Sequence, residues 1–289
     1  MNCLDQKTIS DLIHKTYRKS LWIPFITAIQ EYHLIKEQDH ILVCISGGKD
    51  SLMLALLLKE LQKYSDFPFY LDYVMVNGGF QESTLNKVKE LSQLLDININ
   101  FYEYPIFKTL GNKMKDNQKP CFMCARMRRG TLYEAALKYG DNKIALGHHL
   151  DDAMETTYLS MMYQGNFMNM LPKAHAVHYD KLELVRPMYL IREKDIISFW
   201  KELGLEGIFC HEDCPLKQMT DNKESKRDEA KEMLRLMEDR NPKMAANYVS
   251  SLSKVNPYIV LGLTFDYNKN NQTDVSFNEL YEKFHPNEE

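Results

Sequence analysis

Six residues at the junction of a strand and a helix constrain this fold more than any other stretch: Ser46-Gly47-Gly48-Lys49-Asp50-Ser51. Before them stands His40-Ile41-Leu42-Val43-Cys44-Ile45, a short apolar run of the kind that forms a parallel strand buried on both faces. A leucine-rich helical pattern then runs over 51–64. Two glycines allow a tight turn that brings backbone N–H groups close to an anion. A helix beginning there points its positive dipole end the same way. Ser46 and Ser51 add hydroxyl donors, and Lys49 adds a point charge. The bland alternative is a surface turn that contains Ser-Gly-Gly, which the position directly after an apolar strand disfavours. The glycine spacing differs from that of a Walker A loop.

The strand–helix alternation then repeats. Strands are expected at 70–76, 98–103, 143–147 and 182–188, with helices at 82–95, near 122–139, at 150–163 and at 192–204. Polar loops fall at 108–120 and 205–222. This order predicts an α/β fold with a doubly wound parallel sheet and helical additions at both ends. Apolar positions at helical spacing over 6–35 predict an N-terminal helical segment, with Pro24 dividing it. A charged amphipathic helix is expected over 223–240, stopped by Asn241-Pro242, and a short helix near 243–253. The expected organisation is an N-terminal segment 1–36, a nucleotide-handling domain 37–205, a cysteine loop with helices 206–265, and a loosely ordered polar tail 266–289.

Composition narrows the class. The chain has 289 residues, 44% hydrophobic and 26% charged, as in a globular protein able to bury a sizeable core. A net charge of −4 excludes a generally basic nucleic-acid binder, while leaving room for a local basic face. The start MNCLDQKTISDL lacks a secretory h-region, and no apolar run reaches the roughly 20 residues that span a bilayer. A cytoplasmic protein with no membrane partner is expected. Six cysteines in a reducing compartment point to metal or redox chemistry rather than disulfides.

A second polar cluster follows the strand at 143–147. It reads Gly147-His148-His149-Leu150-Asp151-Asp152-Ala153-Met154-Glu155-Thr156. Open α/β sheets place ligands at such strand ends. Asp151 and Glu155 are four apart and Asp152 and Glu155 three apart, so each pair neighbours on a helix surface. Such carboxylates can hold Mg²⁺ against phosphate oxygens. They can equally serve as acidic N-terminal caps, and both roles can coexist. His148 and His149 read as polar site lining.

Four cysteines form two pairs, Cys121-x-x-Cys124 and Cys210-x3-Cys214. A Cys-x-x-Cys pair at a helix start gains thiolate character from the dipole and from Arg126, Arg128 and Arg129. The pairs are about ninety residues apart and can meet only through the fold. On spacing alone, a zinc site and an iron–sulfur site stand level.

Several segments together resemble the TtcA family of tRNA 2-thiocytidine synthetases, within the PP-loop N-type ATP pyrophosphatases. They are the loop at 46–51, Cys-Phe-Met-Cys-Ala-Arg-Met-Arg-Arg-Gly at 121–130, Ala-Leu-Gly-His-His-x-Asp-Asp at 145–152, Met170-Leu-Pro-Lys173 and Leu184-Val-Arg-Pro187. The match runs in order from about residue 30 to 260. The resemblance implies an enzyme that binds ATP and Mg²⁺, adenylates a pyrimidine at C2 and replaces that oxygen with sulfur. It implies that Ser46, Gly47, Gly48, Lys49 and Ser51 cradle the pyrophosphate, with Gly147 and His148 also in the cofactor site. Asp50, Asp151 and Asp152 take metal or catalytic roles. It implies a 4Fe–4S cluster on Cys121, Cys124 and Cys214, with Cys210 as the alternative third ligand. The implied partners are tRNA and a sulfur donor, either a cysteine desulfurase or free sulfide, and the implied assembly is a homodimer. The chain departs from the 2-thiouridine relatives in having Cys3 alone at its start and no cysteine after Cys214. Val76-Asn77-Gly78-Gly79-Phe80 also departs from the best-known thiocytidine enzymes.

Arg126, Arg128, Arg129 and Lys173 are the expected RNA-backbone contacts. Arg186 and Arg192 are candidates for the same mouth. The helix at 223–240 mixes both signs of charge and reads as a solvated face. A lysidine-type ligase using an amine, and a non-enzymatic cluster-bearing redox sensor, are the competing classes. Replacing Cys121 or Cys124 with Ala is expected to abolish iron binding in anaerobically purified protein, and a variant with full iron content would remove these residues from the ligand set.

Overall fold

A computed structural model of the chain describes residues 5–104, 120–176, 179–205, 209, 226–256, 262–265, 273–276 and 279. The chain forms two compact units, Met1–Glu232 and Met233–Glu289.

The first unit opens with α1 (Gln6–Asp11), two wider π-helical turns at Leu12–Thr16 and Arg18–Trp22, and α2 (Ile23–Glu31). Pro24 stands one residue past the junction where the wider turns give way to α2, and the helical run continues through it. The irregular residue is Tyr17 (φ −97°, ψ 16°). Pro24 sits in the first turn of α2, where a missing N–H costs nothing. Then follow β1 (His40–Cys44), α3 (Lys49–Tyr64), β2 (Tyr70–Asn77), α4 (Glu82–Leu94), β3 (Ile99–Glu103), α5 (Pro120–Tyr139), β4 (Lys143–Ala145) and α6 (Leu150–Leu159). α6 passes into a π-helical turn at Ser160–Gln164. β5 (Lys173–Ala176), β6 (Tyr179–Val185), α7 (Glu193–Glu202) and α8 (Lys226–Arg240) complete the order, α8 running on past Glu232.

The larger sheet has the order β3-β2-β1-β4-β6-β5, all parallel except β5 against β6. This is the expected doubly wound sheet with one antiparallel edge strand added. β5 escaped the sequence reading because four residues, Lys173-Ala-His-Ala176, carry little apolar signal. The strand expected at 182–188 spans Tyr179–Val185 instead. It starts early because Tyr179 pairs with Ala176, and it stops where Pro187 has no N–H to give and Tyr189 turns back onto Arg186 O at 3.1 Å.

Period-two alternation along β1 separates two cores. Ile41, Val43 and Ile45 face a large cluster with α3, α4, α7 and the N-terminal helices, including Phe25, Leu52, Leu91 and Trp200. Leu42 faces the other side, with Val74, Val76, Ile144 and Leu182 against Cys124, Leu132, Tyr133 and Ala136 of α5. The N-terminal helices therefore share the main core. A buried lysine reinforces that attachment. Lys143 Nζ meets Leu34 O at 2.8 Å, Asp39 Oδ2 at 3.1 Å and Glu183 Oε2 at 3.1 Å, so its charge is fully partnered.

The second unit holds the end of α8, α9 (Met244–Leu252) and an antiparallel pair, β7 (Gly262–Phe265) with β8 (Thr273–Ser276). The segment expected to be a loose tail thus contains a strand, Thr273-Asp-Val-Ser276. The expected loops at 108–120 and 205–222 lie almost wholly outside the described residues. Among the described residues no helix is long and apolar enough to cross a membrane.

One buried acid has no partner. Asp141, 5% exposed, has neither carboxylate oxygen hydrogen-bonded among the described residues. Burial, helped by Asp72, pushes its pKa up to about 7. A raised acid favours the fold when protonated, so this contribution is full below the ordinary value near 3.8 and is lost as pH rises through about 7. Asp141→Asn is expected to raise stability at pH 8 by about 2 kcal/mol and to leave it nearly unchanged at pH 4. Urea denaturation at the two pH values checks this, and an equal effect at both would refute it.

Candidate nucleotide and cysteine site

The sheet reverses its winding between β1 and β4, so the crevice beyond their carboxyl ends is the natural ligand position. Both sequence clusters lie there. α3 begins at Lys49, two residues earlier than expected, with Gly48 as its N-cap. Gly47 takes φ 80°, which a side chain would strain. Ser51 Oγ organises the turn. It accepts from Ser46 N at 3.1 Å, contacts Ser46 Oγ at 3.1 Å and donates to Gly48 O at 2.9 Å. Ser46 Oγ accepts from Gly48 N at 3.3 Å. Trp200 Nε1 holds the first helical carbonyl, that of Lys49, at 3.0 Å.

Gly147 brings the two loops together. A Cβ built there would lie 3.1 Å from Asp50 C, Ser51 Cα and Ser51 N. All three are backbone atoms that cannot swing away, so only glycine lets the β4–α6 loop approach the phosphate loop this closely.

α6 starts with a reciprocal cap. His149 N donates to Asp152 Oδ2 at 3.0 Å, and Asp152 N donates to His149 Nδ1 at 3.4 Å. The acidic-cap reading therefore holds for Asp152, and Asp152 also carries other contacts. Its Oδ1 accepts from Arg227 Nη2, while Arg227 Nε donates to Glu155 Oε2 at 2.6 Å. Asp151 turns to α7: Arg192 approaches it at 3.0 and 3.1 Å, and Glu193 N donates to its Oδ2 at 2.6 Å. Asp151 and Arg192 thereby pin α6 to α7. Asp50 keeps one oxygen on Lys49 Nζ at 3.0 Å. Its other oxygen is buried without a hydrogen-bond partner among the described residues, 3.8 Å from His149 Nε2. That free acceptor suits a divalent cation, and with Asp152 it supplies the hard oxygen donors Mg²⁺ prefers.

The electrostatics follow from burial against pairing. Burial works against the charge of Lys49, but Asp50 and Glu193 outweigh it and raise its pKa. Glu193 is likewise opposed by burial, yet Lys49 at 2.8 Å and Lys231 hold it down at about 2. Burial pushes His148 down to about 4, so it is neutral at physiological pH. Its Nδ1 has no hydrogen-bond partner among the described residues.

A small cavity of about 50 Å³, open to solvent, lies beside the phosphate loop. Cys44, Ile45, Ser46, Met75, Val76, Phe80, Arg128 and Leu132 line it. Apolar walls with a few polar groups suit a flat heterocycle. Arg128 lies over the Phe80 ring, 5.9 Å from its centre. Burial pushes the Cys44 thiol up to about 11, against a smaller pull from Arg128.

Cys121 falls in the first turn of α5, and Cys124, buried, packs into the second core near Met123 and Met127. Two cysteines three residues apart at a helix start, one of them packed among apolar side chains, are a donor set that fits an iron–sulfur cluster. Cys210 and Cys214 lie outside the described residues. Arg128 stands one turn from Cys124 and faces the cavity, whereas Arg126 and Arg129 are exposed. Lys173 Nζ lies 3.5 Å from His33 O on the edge strand. Arg186 Nη1 donates to Leu171 O at 2.6 Å. Sequence reasoning missed Arg227, Lys231 and Glu193. The first two read as surface charge, and their partners stand far away along the chain.

The sequence matches the family of PP-loop domains over residues 23–209. A protein named tRNA-cytidine(32) 2-sulfurtransferase from Pelobacter propionicus is 32% identical over 230 residues, covering 80% of this chain and 83% of its own. The protein of that name from Citrifermentans bemidjiense is 31% identical over 239 residues, covering 82% and 91%. Among solved structures, U34-tRNA thiolase NcsA from Methanococcus maripaludis, with its 4Fe-4S cluster, shares the fold at a TM-score of 0.60 and 20% identity, covering 82% of this chain and 80% of that one.

Two glycine substitutions test the loop contact. Gly147→Ala is expected to destabilise by about 1–3 kcal/mol through overpacking. Gly130→Ala, with nothing within 4 Å of the added Cβ inside α5, is expected to stabilise by about 0.5–1 kcal/mol. Paired denaturant titrations check both signs.

Proposed function

Since the chain belongs to the PP-loop family of tRNA-cytidine(32) 2-sulfurtransferases, we propose that it uses ATP to replace the C2 oxygen of a tRNA cytidine with sulfur. One observation carries the reading. α5 bears Cys124 and, within two further turns, Arg128 and Leu132 that wall the cavity beside the phosphate loop. The cysteine helix and the nucleotide crevice are thus one site.

The adenine ring enters the cavity between Val76, Phe80 and Leu132. Backbone N–H groups at Gly47 and Gly48, the Ser46 and Ser51 hydroxyls and the Lys49 ammonium face the β- and γ-phosphates. Asp50 and Asp152 would hold Mg²⁺, which supplies positive charge against the phosphate oxygens. The cytidine C2 oxygen attacks the α-phosphorus. An O–P bond forms, the bond to the β-phosphate oxygen breaks, and pyrophosphate stays against the loop, where preorganised donors offset its charge. Cys121, Cys124 and Cys214, or Cys210 in place of Cys214, would hold a 4Fe–4S cluster, which when bound would supply sulfur at the sulfide level. The new bond forms between that sulfur and C2, the C2–O bond breaks, and AMP leaves with the former C2 oxygen. Neutral His148 lines the crevice without adding charge.

Arg126 and Arg129, both exposed on the cysteine helix, position the RNA backbone, with Lys173 further along the edge of the sheet. Arg128 faces the nucleotide. Free sulfide or a cysteine desulfurase is the sulfur source, and a homodimer is the assembly.

Nucleoside mass spectrometry of total tRNA, from cells with and without the gene, tests the proposal. Loss of 2-thiocytidine, restored by the wild-type gene and not by Cys124→Ala, is expected. Loss of a different thionucleoside would keep the chemistry and replace the base. An unchanged profile would refute tRNA as the substrate.

A further inference from the structure

The sequence leaves α8 as a solvated charged helix, and its first two turns are largely exposed, but Arg227 and Lys231 reach from them onto carboxylates of α6 and α7. Arg227 bridges Asp152 and Glu155, two carboxylates one turn apart on α6. Lys231, one turn further along α8, lies 3.1 Å from Glu193 Oε2 and 3.8 Å from Glu155 Oε1. Ala230 between them is fully buried. Lys226 sits 4.1 Å from the centre of the Tyr163 ring, and the Tyr163 hydroxyl donates to Glu229. The start of α8 is therefore anchored on α6 over several residues.

Geometry gives Arg227 a particular task. Asp152 already has Oδ2 fixed by the His149 N–H, and Arg227 fixes Oδ1, so both oxygens are oriented. Glu155 is nearly inaccessible, and its close partner is Arg227, since Lys231 stands at 3.8 Å. Arg227 serves the two carboxylates from separate nitrogens, Nε and Nη2, fixed in one plane, where a lysine would have to serve both from a single freely rotating ammonium.

We propose that Arg227 is a positioning residue for ATP activation. Anchored by Glu155, which Lys231 also approaches, it holds the Asp152 carboxylate directly in its orientation beside the phosphate loop. This rests on the reading of the chain as an ATP-consuming tRNA thiolase.

The test uses the full chain and its variants Arg227→Gln, Arg227→Lys, Glu155→Gln and the Arg227→Gln/Glu155→Gln pair, with Arg235→Gln as the exposed control on the same helix. Pyrophosphate release with tRNA, sulfide and Mg·ATP gives kcat and KM. Arg227→Gln is expected to lower kcat about 10–100-fold, with KM for ATP and affinity for Mg·α,β-methylene ATP within about threefold. Arg227→Lys should recover part of the loss. The double variant should be no slower than Arg227→Gln alone, because the two residues act as one unit. Unchanged kcat, a loss confined to KM or nucleotide affinity, or multiplied losses in the double variant would each overturn the proposal.

Amide exchange supplies a readout independent of the chemistry. The His149 amide, capped by Asp152, should exchange faster in Arg227→Gln than in Arg235→Gln. If the unaltered chain releases no pyrophosphate, the functional reading fails, and equal exchange in those two variants then removes the positioning role as well.

Discussion

A line of alternating charges crosses the carboxyl edge of the sheet, and the site depends on it. It runs Asp50, Lys49, Glu193, Lys231, Glu155, Arg227, Asp152, each in ion-pair contact with the next. Carboxylates crowded beside a phosphate loop would repel one another and lose hydration as the crevice closes. Interleaved cations offset the repulsion, while burial still outweighs pairing at Glu155 and pushes its pKa up. The members come from α3, α6, α7 and α8, so a single electrostatic row fastens four helices to one end of the sheet. Asp151 with Arg192 adds a second tie between α6 and α7.

That row explains why so many charged residues stand half-buried in a protein of ordinary composition. The apolar cores on the two faces of β1 fix where the strands end. The charges fix how the loops beyond them are presented. Packing of Gly147 against the start of α3 sets the distance between those loops. The capping pair His149 and Asp152 sets the direction in which α6 leaves.

What the sequence made legible was local. An apolar run followed by Ser-Gly-Gly-Lys-Asp-Ser names a strand, a turn and a helix without help from elsewhere in the chain. Gly147-His-His-x-Asp-Asp after a second apolar run does the same. Arg227 was not legible, because its meaning depends on carboxylates 72 and 75 residues away. Within its own helix it sits among acids and looks like solvated surface. β5 was missed for a related reason: a four-residue edge strand is made by its neighbour β6 rather than by its own composition. The contacts of Asp151 with Arg192 and the Glu193 amide were not legible either, because they are partners that only the fold supplies.

The partly buried thiol of Cys44 has a consequence for reactivity. It borders the nucleotide cavity, and desolvation holds its pKa near 11. Only about one molecule in ten thousand carries the thiolate there at neutral pH. Soft metals and electrophilic sulfur both seek thiolates. The cavity wall therefore presents a neutral thiol, a weak nucleophile and a poor metal ligand, to whatever enters.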